Sequence, residues 1–81
     1  MNEVDKSTEF VVFCIENTAQ RLRVSGFEVY NELKRLDGIE KFLIPSYNTL
    51  HTQSKEYIVD ETIQFIEQHD YNFIKEKGAL S

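Results

Sequence analysis

The sequence predicts an all-α fold, a compact bundle of four main helices with a break or kink near Pro45. Apolar residues recur at three- and four-residue spacing in several separate stretches, which is the period of a helix with one buried face. Ser25 and Glu28 have the spacing of a capping box. The one run that reads equally well as a buried strand has no second run to pair with, and an unpaired strand leaves its backbone polar groups unsatisfied.

Taken in order, residues 1–6 are polar and expected to fray. Ser7 or Thr8 suits the cap of a first helix, with Glu9 against the positive end of its dipole. Phe10-Val11-Val12-Phe13-Cys14-Ile15 is apolar without a break, and Thr18, Ala19 and Leu22 continue its spacing. A helix apolar all round must be covered on more than one side. The first helix is therefore either the centre of the bundle or part of a contact surface.

After the turn at Val24-Ser25-Gly26, a second helix presents Phe27, Tyr30, Leu33 and Leu36 as its stripe, widened by Val29. Asp37-Gly38 ends it, with Gly38 suited to the left-handed cap. Asp37 and Glu40 offer a second capping box, and Asp37 with Lys41 an i,i+4 ion pair. The third helix is short, with Ile39, Phe42, Leu43 and Ile44 facing inward until Pro45 interrupts it. A further turn opens at Pro45 or Ser46 and contributes Tyr47 and Leu50. Thr52 or Ser54 caps the fourth main helix, whose stripe is Ile58, Val59, Thr62, Ile63 and Ile66, with Phe65 beside it. Its other face carries Glu56, Asp60, Glu61, Gln64 and Glu67. His69-Asp70-Tyr71-Asn72 breaks the pattern, and Phe73 to Lys77 add a last helical turn before Gly78; residues 78–81 are expected to fray. With no repeat, linker or low-complexity segment, residues 1–81 read as one small helical domain.

A net charge of −5 and a pI near 4.9 argue against nucleic acid as a partner, because that binding relies on Lys and Arg releasing phosphate counterions. They also argue against an anionic membrane. Six acids face three lysines over residues 46–81, and such a balance fits a basic protein partner. The N-terminus is acidic where a signal peptide is basic, and the apolar runs are too short to span a bilayer. The lone Cys14 allows no disulfide within the chain. A cytoplasmic location is the expectation. A chain of this length buries only roughly 60% of its unfolded surface, so a partner or self-association is expected to supplement its stability.

The polar and aromatic variety concentrates in Leu50-His51-Thr52-Gln53-Ser54-Lys55-Glu56-Tyr57-Ile58-Val59-Asp60-Glu61. His51, Ser54 and Asp60 are the residue types of a nucleophilic triad, which needs a base in reach of the nucleophile and an oxyanion hole. Ser54 stands where a helix cap is wanted, and that role accounts for it. We read His51, Ser54 and Tyr57 as a structural joint, with His51 bonding between helices. His51 and His69 would lie on the order of 27 Å apart along a helix, too far to share a metal ion. Glu56, Asp60 and Glu67, four and seven apart, form a solvated face and a candidate partner surface. Tyr30, Tyr47, Tyr57 and Tyr71 are expected to be half-buried. The short turn before Ser25 permits a helix-turn-helix, but the exposed positions Glu28, Asn31, Glu32, Lys34 and Arg35 are mixed in charge. No catalytic, cofactor-binding or metal-binding residues are expected.

The words Glu9 to Glu16, Ser25 to Tyr30 and Leu50 to Glu61, in this order and spacing, resemble a family of short bacterial proteins known as domain of unknown function 3791. The resemblance covers residues 8–68, and the third word is its specific part. It implies a compact helical protein whose gene lies beside one for an ADP-ribosyltransferase-like protein, as in a toxin–antitoxin pair, and it implies no catalytic residues. Pro45 and the tail beyond His69 depart from the family's pattern. The expected function is a non-enzymatic protein-interaction module, antitoxin-like. The alternative is a self-associating helical module or a small DNA-associated accessory protein of helix-turn-helix type.

Overall fold

The apolar run near the N-terminus is helical, and it forms the centre of the molecule. In the computed structural model, which describes residues 6–77, helix α1 (Lys6–Leu22) buries Phe10, Val11, Cys14, Ile15, Thr18, Ala19 and Leu22. Helices α2 (Gly26–Arg35) and α4 (Lys55–His69) and the turn Ile39–Leu43 all pack against it. Val29, Leu33, Leu43, Leu50, Ile58, Ile66 and Ile74 complete the core. Between α1 and α4, the Thr62 hydroxyl donates to the Ile58 carbonyl at 2.9 Å, while the Thr18 hydroxyl has no hydrogen-bond partner among the described residues. Lys6 is already helical, so neither Ser7 nor Thr8 is the cap of α1; the expected fraying of residues 1–5 and 78–81 lies outside the described residues.

The capping box forms as its spacing requires. The Ser25 hydroxyl accepts from the Glu28 N–H at 3.1 Å, and the Glu28 carboxylate accepts from the Ser25 N–H at 3.5 Å. The stripe of α2, however, is rotated from the expected one. Val29, Glu32 and Leu33 are buried, whereas Phe27 is 71% exposed and Tyr30 also faces outward. Glu32 explains the difference: a carboxylate on the inward face interrupts the apolar pattern, and Arg35 neutralises it through two hydrogen bonds of 3.3 and 2.9 Å.

At the end of α2 the left-handed residue is Asp37 (φ 60°), not Gly38 (φ −71°). Glycine is needed at position 38 for space. A Cβ there would lie 2.6 Å from Cε2 of Phe65 and 3.0 Å from Cδ2 of Leu33. No side chain caps the next element, so the second capping box does not form, although Lys41 reaches Asp37 at 3.9 Å on the surface.

The third helix is a π turn, Ile39–Leu43, in which the Ile44 N–H bonds the Ile39 carbonyl at 2.9 Å. Proline explains the widening. In a regular α-helix the Pro45 ring would strike the carbonyl four residues back, and the extra residue in the turn relieves that clash. The chain breaks at Pro45 as expected and resumes as α3 (Tyr47–Leu50), which buries Leu50. Ile44, expected inside, is exposed.

Ser54 caps α4, accepting from the Tyr57 N–H at 3.1 Å. Ile58, Val59, Thr62 and Ile66 are buried, with Ile63 and Phe65 half-buried beside them. The Phe65 ring is held between Phe42 at 4.8 Å and His69 at 4.3 Å. The interruption after α4 narrows to Asp70, whose N–H closes α4 on the Ile66 carbonyl and whose carboxylate caps α5 (Tyr71–Glu76). Helix α5 buries Ile74 and is tied to α2 by Arg35–Asp70 at 2.5 Å and Lys77–Glu28 at 2.7 Å. Burial raises the Glu32 carboxyl above its usual range, against the pull of Arg35, and Asp70 reinforces that rise. The hydrogen bond with Glu32 holds Asp70 low, and Lys77 does the same for Glu28.

Two outcomes follow from this packing. Gly38→Ala gains about 0.4–1 kcal/mol from a stiffer unfolded chain. It loses more, about 2 kcal/mol, to overpacking against a ring that two neighbours pin, so a urea melt should show net destabilisation. For Glu32 the sign is opposite to that of an ordinary paired acid. Its raised pKa means its contribution is fully present below the unfolded value of 4.5 and is lost as pH rises through the folded value. The stability difference between Glu32→Gln and the native protein should therefore move in the variant's favour from pH 4 to pH 7; thermal melts showing the reverse trend would contradict the assignment.

Candidate functional site

Around His51, Ser54 and Tyr57 the contacts differ from those expected of a joint. Ser54 caps α4. Among the described residues His51 makes no interhelical hydrogen bond; its exposed ring stacks on Tyr47 one turn back, at 4.4 Å and 11°. Tyr57 contributes its backbone N–H to the cap while its ring is exposed. Of the four tyrosines only Tyr47 is half-buried; Tyr30, Tyr57 and Tyr71 face outward. No triad is assembled, since Ser54 serves the cap, His51 lies on Tyr47 and Asp60 pairs with Arg21 at 2.9 Å.

Among the three acids of α4, Asp60 is thus matched by Arg21, and both ends of that pair are open to solvent, where such a bond contributes little. Glu56 lines a shallow polar depression of about 270 Å³ with Arg21 and Lys55, and Glu67 is half-buried without an ion pair among the described residues. The face carries less free negative charge than its sequence suggests. Cys14 is no nucleophile: burial pushes its thiol up to about 12, with only the Thr62 hydrogen bond acting against it. Among the described residues no group of three or more His, Cys, Asp or Glu could hold a metal ion, and no helix is long and apolar enough to cross a membrane.

Helix α1 supplies a surface that the other described elements leave uncovered. Val12 (51% exposed) and Phe13 (38% exposed) form an apolar ridge, and a depression flanks each side of it. On one side is a groove of about 560 Å³ between α1, α2 and the π turn, lined by Val11, Val12, Ile15, Tyr30, Ile39 and Ile44. Lys34, Asp37 and Glu40 edge it, with the Lys34 ammonium 5.9 Å from the centre of the Tyr30 ring. On the other side is a pocket of about 390 Å³ walled by Phe10, Phe13, Tyr47 and His51 over Ile58, with Lys6, Glu9 and Gln53 around it. Phe10 meets Tyr47 edge-on at 5.5 Å, which fixes the Tyr47–His51 stack against α1.

The first and third words of the sequence therefore meet at this second pocket, through Glu9, Phe10 and Phe13 from one and His51, Gln53 and Ile58 from the other. The sequence marks α1 as apolar on too many sides but assigns no pocket. The i,i+4 spacing of Tyr47 and His51 within a helical turn is the available signal for the stack. The outward turn of Tyr30 and Ile44 has no such signal, because it depends on how α2 and the turn before Pro45 pack.

No curated protein and no solved structure matches the chain. The family described as "Protein of unknown function (DUF3791)" matches it over residues 9–69. Matched from the first turn of α1 to the last residue of α4, the chain belongs to that family.

Proposed function

We propose that this chain is a non-enzymatic protein-interaction module that docks through the outer face of α1. The observation that carries this reading is the contiguous apolar ridge of Val12 and Phe13 flanked by the α1–α2 groove, where Tyr30 and Ile44 are also exposed. Single exposed apolar residues are ordinary on small proteins, whereas a ridge set between two depressions supplies shape as well as apolar area. The partner this reading favours is the ADP-ribosyltransferase-like product of a neighbouring gene, as the family resemblance implies. The chain would then act in the cytoplasm as an antitoxin, its ridge covering the partner's active cleft. Reading of DNA by α2 is disfavoured, because Arg35 is occupied by Glu32 and Asp70, and Glu28 by Lys77.

Co-expression of the tagged chain with that neighbouring product should give co-elution and rescue of growth. Val12→Asp and Ile44→Asp lie at exposed positions and should keep the native circular dichroism while weakening the complex about tenfold or more. Failure to co-elute, or a complex indifferent to both substitutions, would overturn the docking assignment. Light scattering of the isolated chain separates self-association through the same ridge.

A further inference from the structure

The aromatic pocket beside the ridge has a different chemistry from the groove. We infer that it receives a cationic side chain, an arginine of a basic segment on the protein partner, so that the ridge supplies apolar contact and the pocket supplies a charged anchor. This inference rests on the docking reading and names the partner's chemistry at its edge. The exposed His51 ring lies nearly parallel on Tyr47, at 11°, and both rings line the pocket, so the stack adds flat aromatic surface to its wall. Phe13 is partly open beside it, and the buried Phe10 closes the floor against Tyr47. A planar guanidinium stacks on such a surface and is attracted by the negative ring faces.

Charge favours the same occupant. The protein carries −5 overall, which steers a basic segment inward. Glu9 lines the pocket and has no ion-pair partner among the described residues, so its carboxylate is free to meet a guanidinium. Lys6 also lines the pocket and opposes a cation there. Among the described residues no ammonium occupies the aromatic site: the cation–π contacts are Lys34 on Tyr30 and Lys77 on Phe73, both elsewhere. An apolar occupant would be indifferent to Glu9 and Lys6, and this difference makes the assignment testable.

The test uses the isolated full chain and two capped amino acids, N-acetyl-arginine amide and its neutral near-isostere N-acetyl-citrulline amide, followed by NMR on the ring protons of Phe13, Tyr47 and His51. Arginine amide should shift these resonances saturably, with citrulline amide about fivefold weaker or worse. Glu9→Gln should weaken arginine amide binding, Lys6→Gln should strengthen it, and Phe13→Ala should reduce it, each by about threefold or more. Equal binding of the two compounds, or no ring shifts with either, would overturn the inference. So would Glu9→Gln and Lys6→Gln changing affinity in the same direction. Because no partner protein enters this experiment, its failure would leave co-elution through the ridge standing, and loss of co-elution would leave the pocket's cation preference standing.

Discussion

A chain of eighty-one residues has too few side chains to close a shell around a helix that is apolar on every side, and the architecture follows from how those few are placed. Helix α1 takes α2 on one side, α4 on another and the π turn on a third. Seven of its residues are buried in this way, and Val12 and Phe13 are left outside. They cannot both be turned inward without breaking the contacts of Val11 and Cys14, because neighbouring positions on a helix point about 100° apart. The uncovered ridge is thus a geometric consequence of wrapping a continuous apolar run in three elements. The depression on each flank is what makes it the proposed docking surface.

The groove on the α2 side owes its shape to a close approach elsewhere. Gly38 lets the backbone pass against Phe65 and Leu33, which delivers the chain into the π turn directly beside α1. Proline at position 45 then favours a widened turn, and Ile44, the residue before it, lies outside at the edge of the groove. Phe65, held between Phe42 and His69, keeps the turn from relaxing. A local steric constraint at one glycine and one proline therefore reaches the site through packing alone.

Most of the fold was legible because its signals are local. The Ser25–Glu28 box, the Ser54 cap, the break at Pro45 and the stripe of α4 each depend on residues within four positions of one another, and each appears where the sequence places it. The errors arise where a distant contact overrides local preference. Glycine is the usual left-handed cap, yet Asp37 takes that conformation, and Gly38 instead serves the close approach to Phe65. The stripe of α2 differs from the expected one because Glu32 is polar and faces inward, where Arg35 on its own helix pairs with it against the cost of burial and the nearby Asp70. The site was legible in one respect, the excess apolar character of α1. Its two depressions were not, because each is bounded by elements far apart in sequence.

The distribution of rigidity decides which surface carries affinity. Glu56 is exposed, Asp60 is paired with Arg21 in solvent and Glu67 is half-buried; fixing such side chains at an interface costs about 0.5–1.5 kcal/mol each of side-chain freedom, and salt screens what they return. In the proposed docking they act on the rate at which a basic partner arrives. The residues around α1 are already ordered: Phe10 is pinned edge-on by Tyr47, Tyr47 is stacked with His51, and α3 is anchored by the buried Leu50. Ordering costs that folding has already met are not met again on binding, so a contact of the same size is stronger there. The proposed docking thus gives the acids of α4 and the aromatic wall of α1 separable roles, long-range attraction and short-range grip. The joint at His51 and Ser54 belongs to the second, since it holds the stack against α1 while starting the helix that carries the charge.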